Sequence, residues 1–117
     1  IEFTVTDLVV GTGNPATAGN VATVNYTGWL YNSGGNESKG TQFDTSLQAD
    51  RSPLVLTIGR LVNIPGFEQA LIGMRVGGKR RAYIPSSLAY GSSGSSNGVI
   101  PPNAAVVFEL DLLSLVQ

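Results

Sequence analysis

The chain contains no cysteine and no histidine. Without cysteine there is no thiol nucleophile, no thiolate metal site and no disulfide, and the redox character of the compartment leaves no trace. Without histidine the commonest general base near neutral pH and the commonest metal ligand are both missing, so any chemistry must run without the usual catalytic triads. Charged residues are sparse, 13% of the whole, and sum to a formal net charge of -1. Only Lys79-Arg80-Arg81 gathers basic charge. That is no footprint for nucleic acid or an anionic membrane, and a solvated strand is the expected place for the trio. No apolar run approaches the length of a membrane span, and the first residues do not follow the basic, apolar, small-residue order of a secretion signal.

What is present is a chain of 117 residues, 42% of them hydrophobic, the size at which one core folds without metals or disulfides. One domain over residues 1–117 is the expectation. Its 15 glycines and 6 prolines cut it into short pieces, most of which read as strands. Phe3 to Val10 is rich in β-branched residues and stops at the turn cluster Gly11-Thr12-Gly13-Asn14-Pro15. From Val21 to Tyr31 the residues alternate, with Val24, Tyr26 and Leu30 on one face and Thr23, Asn25 and Thr27 on the other. Asn32 to Gly40 reads as an exposed polar loop, Thr41 to Asp44 and Leu54 to Ile58 as short strands, Lys79 to Ile84 as a strand closed by Pro85, and Ala104 to Val116 as a final alternating strand.

Only one stretch has helical spacing. Pro65 suits a first helical position, where its missing N–H costs nothing. Phe67, Ala70, Leu71 and Met74 follow as an apolar stripe, and Gly73 or Gly77 supplies the stop. A helix of about three turns is expected, too short to stand on propensity alone. Strands with alternating faces and a single helix predict an α+β domain, a twisted antiparallel sheet wrapped around one short helix.

Among the acids, Glu2, Asp7, Glu37, Asp50 and Asp111 sit in polar surroundings and read as solubilising. Asp44 stands apart. It follows Phe43 in a short apolar strand and precedes two hydroxyls, so it is either a turn residue capping backbone N–H groups or part of a site. Gly11-Thr12-Gly13 is too short for a dinucleotide fingerprint. The aromatics Tyr26, Phe43, Phe67, Tyr90 and Phe108 come from five separate segments, all expected to point at the sheet–helix interface. From pattern alone they read first as core, with the lining of a concave pocket whose tyrosine hydroxyls offer polar tips as the alternative.

Several motifs then stand in order. Val24-Asn25-Tyr26-Thr27-Gly28, Phe43-Asp44-Thr45-Ser46, Ile64-Pro65-Gly66-Phe67-Glu68 and Met74-Arg75-Val76-Gly77 are followed by Ile84-Pro85, Ala89-Tyr90-Gly91, Ile100-Pro101-Pro102-Asn103-Ala104 and Val107-Phe108-Glu109. This succession resembles the FK506-binding proteins (FKBP), a family of peptidyl-prolyl cis/trans isomerases. The resemblance runs from about Asp7 to Leu115, and any one motif is weak where the ordered set is specific.

The resemblance implies a pocket between sheet and helix that isomerises X–Pro bonds without a cofactor or metal. Tyr90, Asp44, Ile64, Phe67 and Tyr26 would carry the reaction. Phe67 would form the floor, and the Tyr90 hydroxyl and the Ile64 N–H would hold substrate carbonyls. Phe43, Leu54, Leu56, Asn63, Ala89, Val99, Ile100 and Phe108 would bind substrate. Partners would be proline-containing peptides or unfolded proteins, and FK506- or rapamycin-like macrolides, taken by a monomer. A binding module with the same pocket and no turnover, serving as a chaperone or docking domain, is the alternative. Four features depart from the family pattern: the long Asn32–Gly40 connection, Leu54 and Leu56 where aromatics are common, Asn63 where an aliphatic residue is usual, and an apolar-free Ser92–Gly98 segment at the pocket rim.

Overall fold

The alternating run from Val21 to Tyr31 is the strand on which the others assemble. In a computed structural model that describes residues 1–48, 50–60 and 64–116, the strands are β1 (Thr4–Val9), β2 (Val21–Tyr31), β3 (Lys39–Thr45), β4 (Leu54–Thr57), β5 (Lys79–Ile84) and β6 (Val106–Val116). β2 pairs with β6 along its whole length, from Val21 opposite Val116 to Leu30 opposite Val106. Its other edge is shared by β4, opposite Val21 to Val24, and β3, opposite Thr27 to Tyr31. β5 and then β1 extend the sheet beyond β6, giving the order β1-β5-β6-β2-β3 with every pairing antiparallel. Alternation sends Ala22, Val24, Ala82, Ile84, Val106, Phe108, Leu110 and Leu112 to one face, where all are buried.

The helix α1 (Pro65–Leu71) covers that face, packing on β5 and β6 and burying Phe67, Ala70 and Leu71. It holds seven residues rather than the longer run expected. Ile64 is extended, as a residue before proline must be, so the helix starts sharply at Pro65. It ends at an extended Ile72 and a left-handed Gly73, at φ +88°. Gly66 lies so near β5 that a Cβ there would run into Ile84 and the Leu88 carbonyl. No helix among the described residues is long and apolar enough to cross a membrane.

The charged trio departs from expectation. Arg80 is only 9% exposed and points inward rather than into solvent. Its Nη1 donates to the carbonyls of Ala70 and Ile72, both at 2.9 Å, and its Nε donates to Asp7 Oδ1 at 2.8 Å. A cation at the orphan carbonyls of a helix end satisfies them and opposes the negative pole of the helix dipole. Arg81 faces the other way and bridges Glu109 and Glu37 at 3.0 and 2.6 Å. Asp7 and Glu37 are therefore ion-pair partners as well as solubilising groups. The polar loop after β2 is also less free than its composition suggests. Residues Asn36–Ser38 form a 3-10 turn whose Glu37 carbonyl accepts from the Tyr83 hydroxyl at 3.0 Å.

Arg80→Ala is expected to cost about 2–3 kcal/mol in urea unfolding, because two carbonyls lose charged donors. Asp7→Asn, at the 43%-exposed end of the pair, is expected to cost less than about 1 kcal/mol.

Candidate functional site

Two cavities meet on the helix side of the sheet. One, of about 280 Å³, is lined by Tyr26, Asp44, Leu54, Ile64, Phe67, Tyr90 and Phe108. The other, of about 500 Å³, is lined by Phe43, Asp44, Tyr90, Val99, Ile100 and the segment from Gly94 to Asn97. Asp44 and Tyr90 belong to both, so the pair stands at the junction.

The walls are a chain of rings in edge-to-face contact. Phe67 meets Tyr26 at 5.6 Å and Phe108 at 5.3 Å between centroids, and Phe43 meets Phe108 at 5.6 Å and Tyr90 at 6.4 Å. All four pairs lie within a few degrees of perpendicular, the arrangement that sets a positive ring edge against a negative face. This closeness has a backbone cause. Gly28 of β2 lies beneath the rings, and a Cβ there would stand 2.7 Å from both Phe43 Cζ and Phe108 Cε1.

One side of the junction is polar and tied. The Tyr26 hydroxyl donates to Asp44 Oδ2 at 2.8 Å, and Arg51 donates to Asp44 Oδ1 at 3.0 Å and to the Tyr26 hydroxyl at 3.1 Å. The Thr45 N–H also donates to Asp44 Oδ1 at 2.9 Å. Asp44 thus caps its neighbour's backbone while lining both cavities. Arg51 has no signature in its polar loop, and only the fold brings it beside Tyr26, 25 positions away. Burial, then the hydrogen bond to Asp44, pushes the Tyr26 hydroxyl above its ordinary 10.0. Burial, then the Asp44 charge, does the same for Tyr90. Both phenols therefore remain protonated near neutral pH.

The other side offers donors. Among the described residues, neither the Tyr90 hydroxyl nor the Ile64 N–H has an acceptor. Ile64 precedes the helix in an extended conformation, and the following Pro65 carries no N–H of its own. The rim is a folded loop. The Ser95 N–H donates to the Ile100 carbonyl at 3.0 Å, the Ile100 N–H returns to Ser95 Oγ at 2.9 Å, and Asn97 Oδ1 accepts from Ser95 Oγ and the Val99 N–H.

The structure thus gathers Tyr26, Phe43, Asp44, Leu54, Ile64, Phe67, Tyr90, Val99, Ile100 and Phe108 around the two cavities. Leu56 is not among the lining residues: it sits opposite Ala22, 7% exposed, one step deeper in the core than Leu54. Ala89 packs against the core and lines neither cavity. Asn63 lies outside the described residues.

The sequence profile of the FKBP-type peptidyl-prolyl cis-trans isomerases matches residues 13–113. An FK506-binding protein of Neisseria meningitidis serogroup B is 44% identical over 111 residues, 95% of this chain and 94% of that protein. A bovine peptidyl-prolyl cis-trans isomerase, FKBP11, is 43% identical over 88% of this chain and 46% of its own length. Among solved structures, a peptidyl-prolyl cis-trans isomerase of Pseudomonas syringae pv. tomato superposes with a TM-score of 0.77 at 33% identity, covering 98% of this chain and 76% of that one. FkpA of Escherichia coli gives 0.80 at 31% identity, over 97% of this chain and 48% of its own.

Tyrosine absorbance titration is expected to show two steps above pH 10.0, one lost in Tyr26→Phe and the other in Tyr90→Phe. Because folding raises both, their contribution to stability is whole below pH 10.0 and declines as the pH climbs past it.

Proposed function

The chain belongs to the FKBP-type peptidyl-prolyl cis-trans isomerases and catalyses rotation about X–Pro bonds, and we propose that Tyr90, Ile64, Phe67, Tyr26 and Asp44 do so in the cavity where they meet. The barrier is amide resonance, roughly 18–20 kcal/mol, and uncatalysed exchange takes tens of seconds or more. No covalent bond has to break. In the transition state the amide is twisted, its nitrogen is more pyramidal, and the charge separation of the planar form is lost. An apolar wall of Tyr26, Phe67, Phe108, Leu54 and Ile64 suits this less polar form better than water does. The wall is thus complementary to the transition state rather than to the ground state. A thousandfold acceleration needs only about 4 kcal/mol of such difference.

One observation carries the assignment: the Tyr90 hydroxyl and the Ile64 N–H, two donors without acceptors among the described residues, border a cavity whose remaining lining is aromatic and aliphatic apart from Asp44. They would hold the carbonyls flanking the turning bond. Asp44 would act on Tyr90 from the side, its charge helping to keep the phenol a proton donor. Through its bond to Tyr26 it would also fix one wall. The neighbouring cavity, with its polar Gly94–Asn97 rim, would take the peptide beyond the bond.

The same reading makes residues 1–117 a single isomerase domain that acts as a monomer on proline-containing peptides and unfolded chains. FK506, named for the Neisseria relative, would compete for the pocket. A net charge of -1 argues against a nucleic-acid partner.

A proline-limited refolding assay or a peptide cis/trans assay tests the site. The wild type is expected to accelerate exchange, and excess FK506 to suppress it. Tyr90→Phe is expected to lower kcat/KM about tenfold, the worth of one hydrogen bond. Phe67→Ala is expected to lower it further, while the melting temperature of Tyr90→Phe stays near that of the wild type. Full activity in Tyr90→Phe would remove that hydroxyl from the mechanism.

A further inference from the structure

Phe43 and Asp44 are neighbours in β3, yet both line the cavities. In a regular strand neighbouring side chains point to opposite faces. The ladder explains the exception. β2 goes from Thr27 to Tyr31 in four steps, while β3, paired at the same two points, goes from Thr45 to Lys39 in six. Two residues of β3 are surplus. One falls at Phe43, because Gly28 opposes Asp44 and Trp29 opposes Gln42. A surplus residue of this kind bulges and re-aims its side chain. It persists only while both ends of the strand are held, since otherwise the register can slip and the strand straighten.

The cavity end of β3 is held by hydrogen bonds. The Ser46 N–H donates to the Tyr26 carbonyl at 2.9 Å, Ser46 Oγ accepts from the Tyr26 N–H at 2.8 Å, and the Thr27 and Thr45 hydroxyls meet at 2.9 Å. The other end is held on the opposite face, by charge. Lys39 Nζ lies 2.6 Å from Glu109 Oε2, 3.0 Å from Glu37 Oε1 and 4.2 Å from the centre of the Trp29 ring. Arg81 ties Glu109 and Glu37 together from β5. Lys39, Arg81 and Glu109 are 18%, 13% and 14% exposed, so salt screens this cluster less than an open surface pair. The turn that feeds it holds two non-glycine residues in the left-handed region, Glu37 at φ 56° and Ser38 at φ 60°. Such strain survives where the surroundings over-determine the backbone.

We propose that Lys39 is a positioning residue of the isomerase pocket: its clamp on Glu109, Glu37 and Trp29, on the face turned away from substrate, fixes the bulge that turns Phe43 into the cavity. The inference rests on the pocket assigned above, and its test separates the two. Lys39→Met keeps an apolar stem over Trp29 and removes the ammonium. Trp29 is the single tryptophan of the chain, so its fluorescence reports directly on loss of the clamp. Lys39→Met is expected to shift that emission and lower kcat/KM about tenfold, with Lys39→Arg restoring most of the activity.

The deciding measurement is a double-mutant cycle with Phe43→Ala. Lys39 lies opposite Tyr31, and Phe43 between the partners of Trp29 and Gly28. The two are roughly 8 Å apart along the ladder, the separation at which independent effects begin to add. If Lys39 acts through Phe43, Lys39→Met has little further effect in the Phe43→Ala background. Glu109→Gln is expected to give the same coupling, and it replaces Lys39→Met should that variant not fold. Equal losses in both backgrounds overturn the proposal. Wild-type kcat/KM in Lys39→Met beside an impaired Phe43→Ala also overturns it and leaves the pocket reading intact. Wild-type kcat/KM in Phe43→Ala also overturns the proposal, while Tyr90→Phe and Phe67→Ala test the pocket reading separately.

Discussion

The pocket depends on the mismatch between β2 and β3, where two surplus residues must be absorbed between anchored ends. Absorbing one of them at Phe43 brings an aromatic side chain and a carboxylate onto the same side of one strand, which a regular ladder forbids. Gly28 makes room for the result: with no Cβ on that stretch of β2, the Phe43 and Phe108 rings close over the backbone. The edge-to-face chain from Phe43 through Phe108 and Phe67 to Tyr26 follows from that approach. A larger residue at 28 or a straight β3 would each leave the cavity without one wall.

The chemistry asks little else of the chain. A reaction with no bond to break needs a surface that disfavours the planar amide and donors that stay donors. Burial supplies both. Under the proposed mechanism it would remove water from the amide, and it raises the Tyr90 and Tyr26 phenols, with Asp44 adding to the effect. Arg51 balances Asp44, so the carboxylate contributes its field without standing as an unpaired charge at the mouth.

Charge is used in this fold mainly to fasten backbone. Arg80 closes the end of α1, Glu68 reaches from α1 to the Gly59 N–H at 2.8 Å, and Lys39 with Arg81 fastens the turn before β3. These roles were hidden in the sequence because the partners are distant in the chain: Arg80 and Asp7 are separated by 73 positions. The basic trio therefore reads as a solvated strand until β1 and α1 are placed against it. The same holds at the site. The motifs located Tyr26, Asp44, Phe67, Tyr90 and Phe108, whereas Arg51 stood in an unremarkable polar loop. Leu56 and Leu54 looked alike, two residues apart, until the depth of β4 in the sheet separated them.

The sequence by itself determined the strands, the one helix and its sharp start at Pro65, because alternation and the fixed φ of proline act over a few residues. Its ordered motifs also named the family and most of the residues that line the two cavities. Its lack of histidine and cysteine excluded the commonest catalytic groups from the outset. Only the tertiary structure decided how Phe43 and Asp44 come to share one side of β3, which carbonyls Arg80 satisfies and how Arg51 reaches Tyr26. Those outcomes turn on register and on contacts between remote segments, and no local pattern carries either.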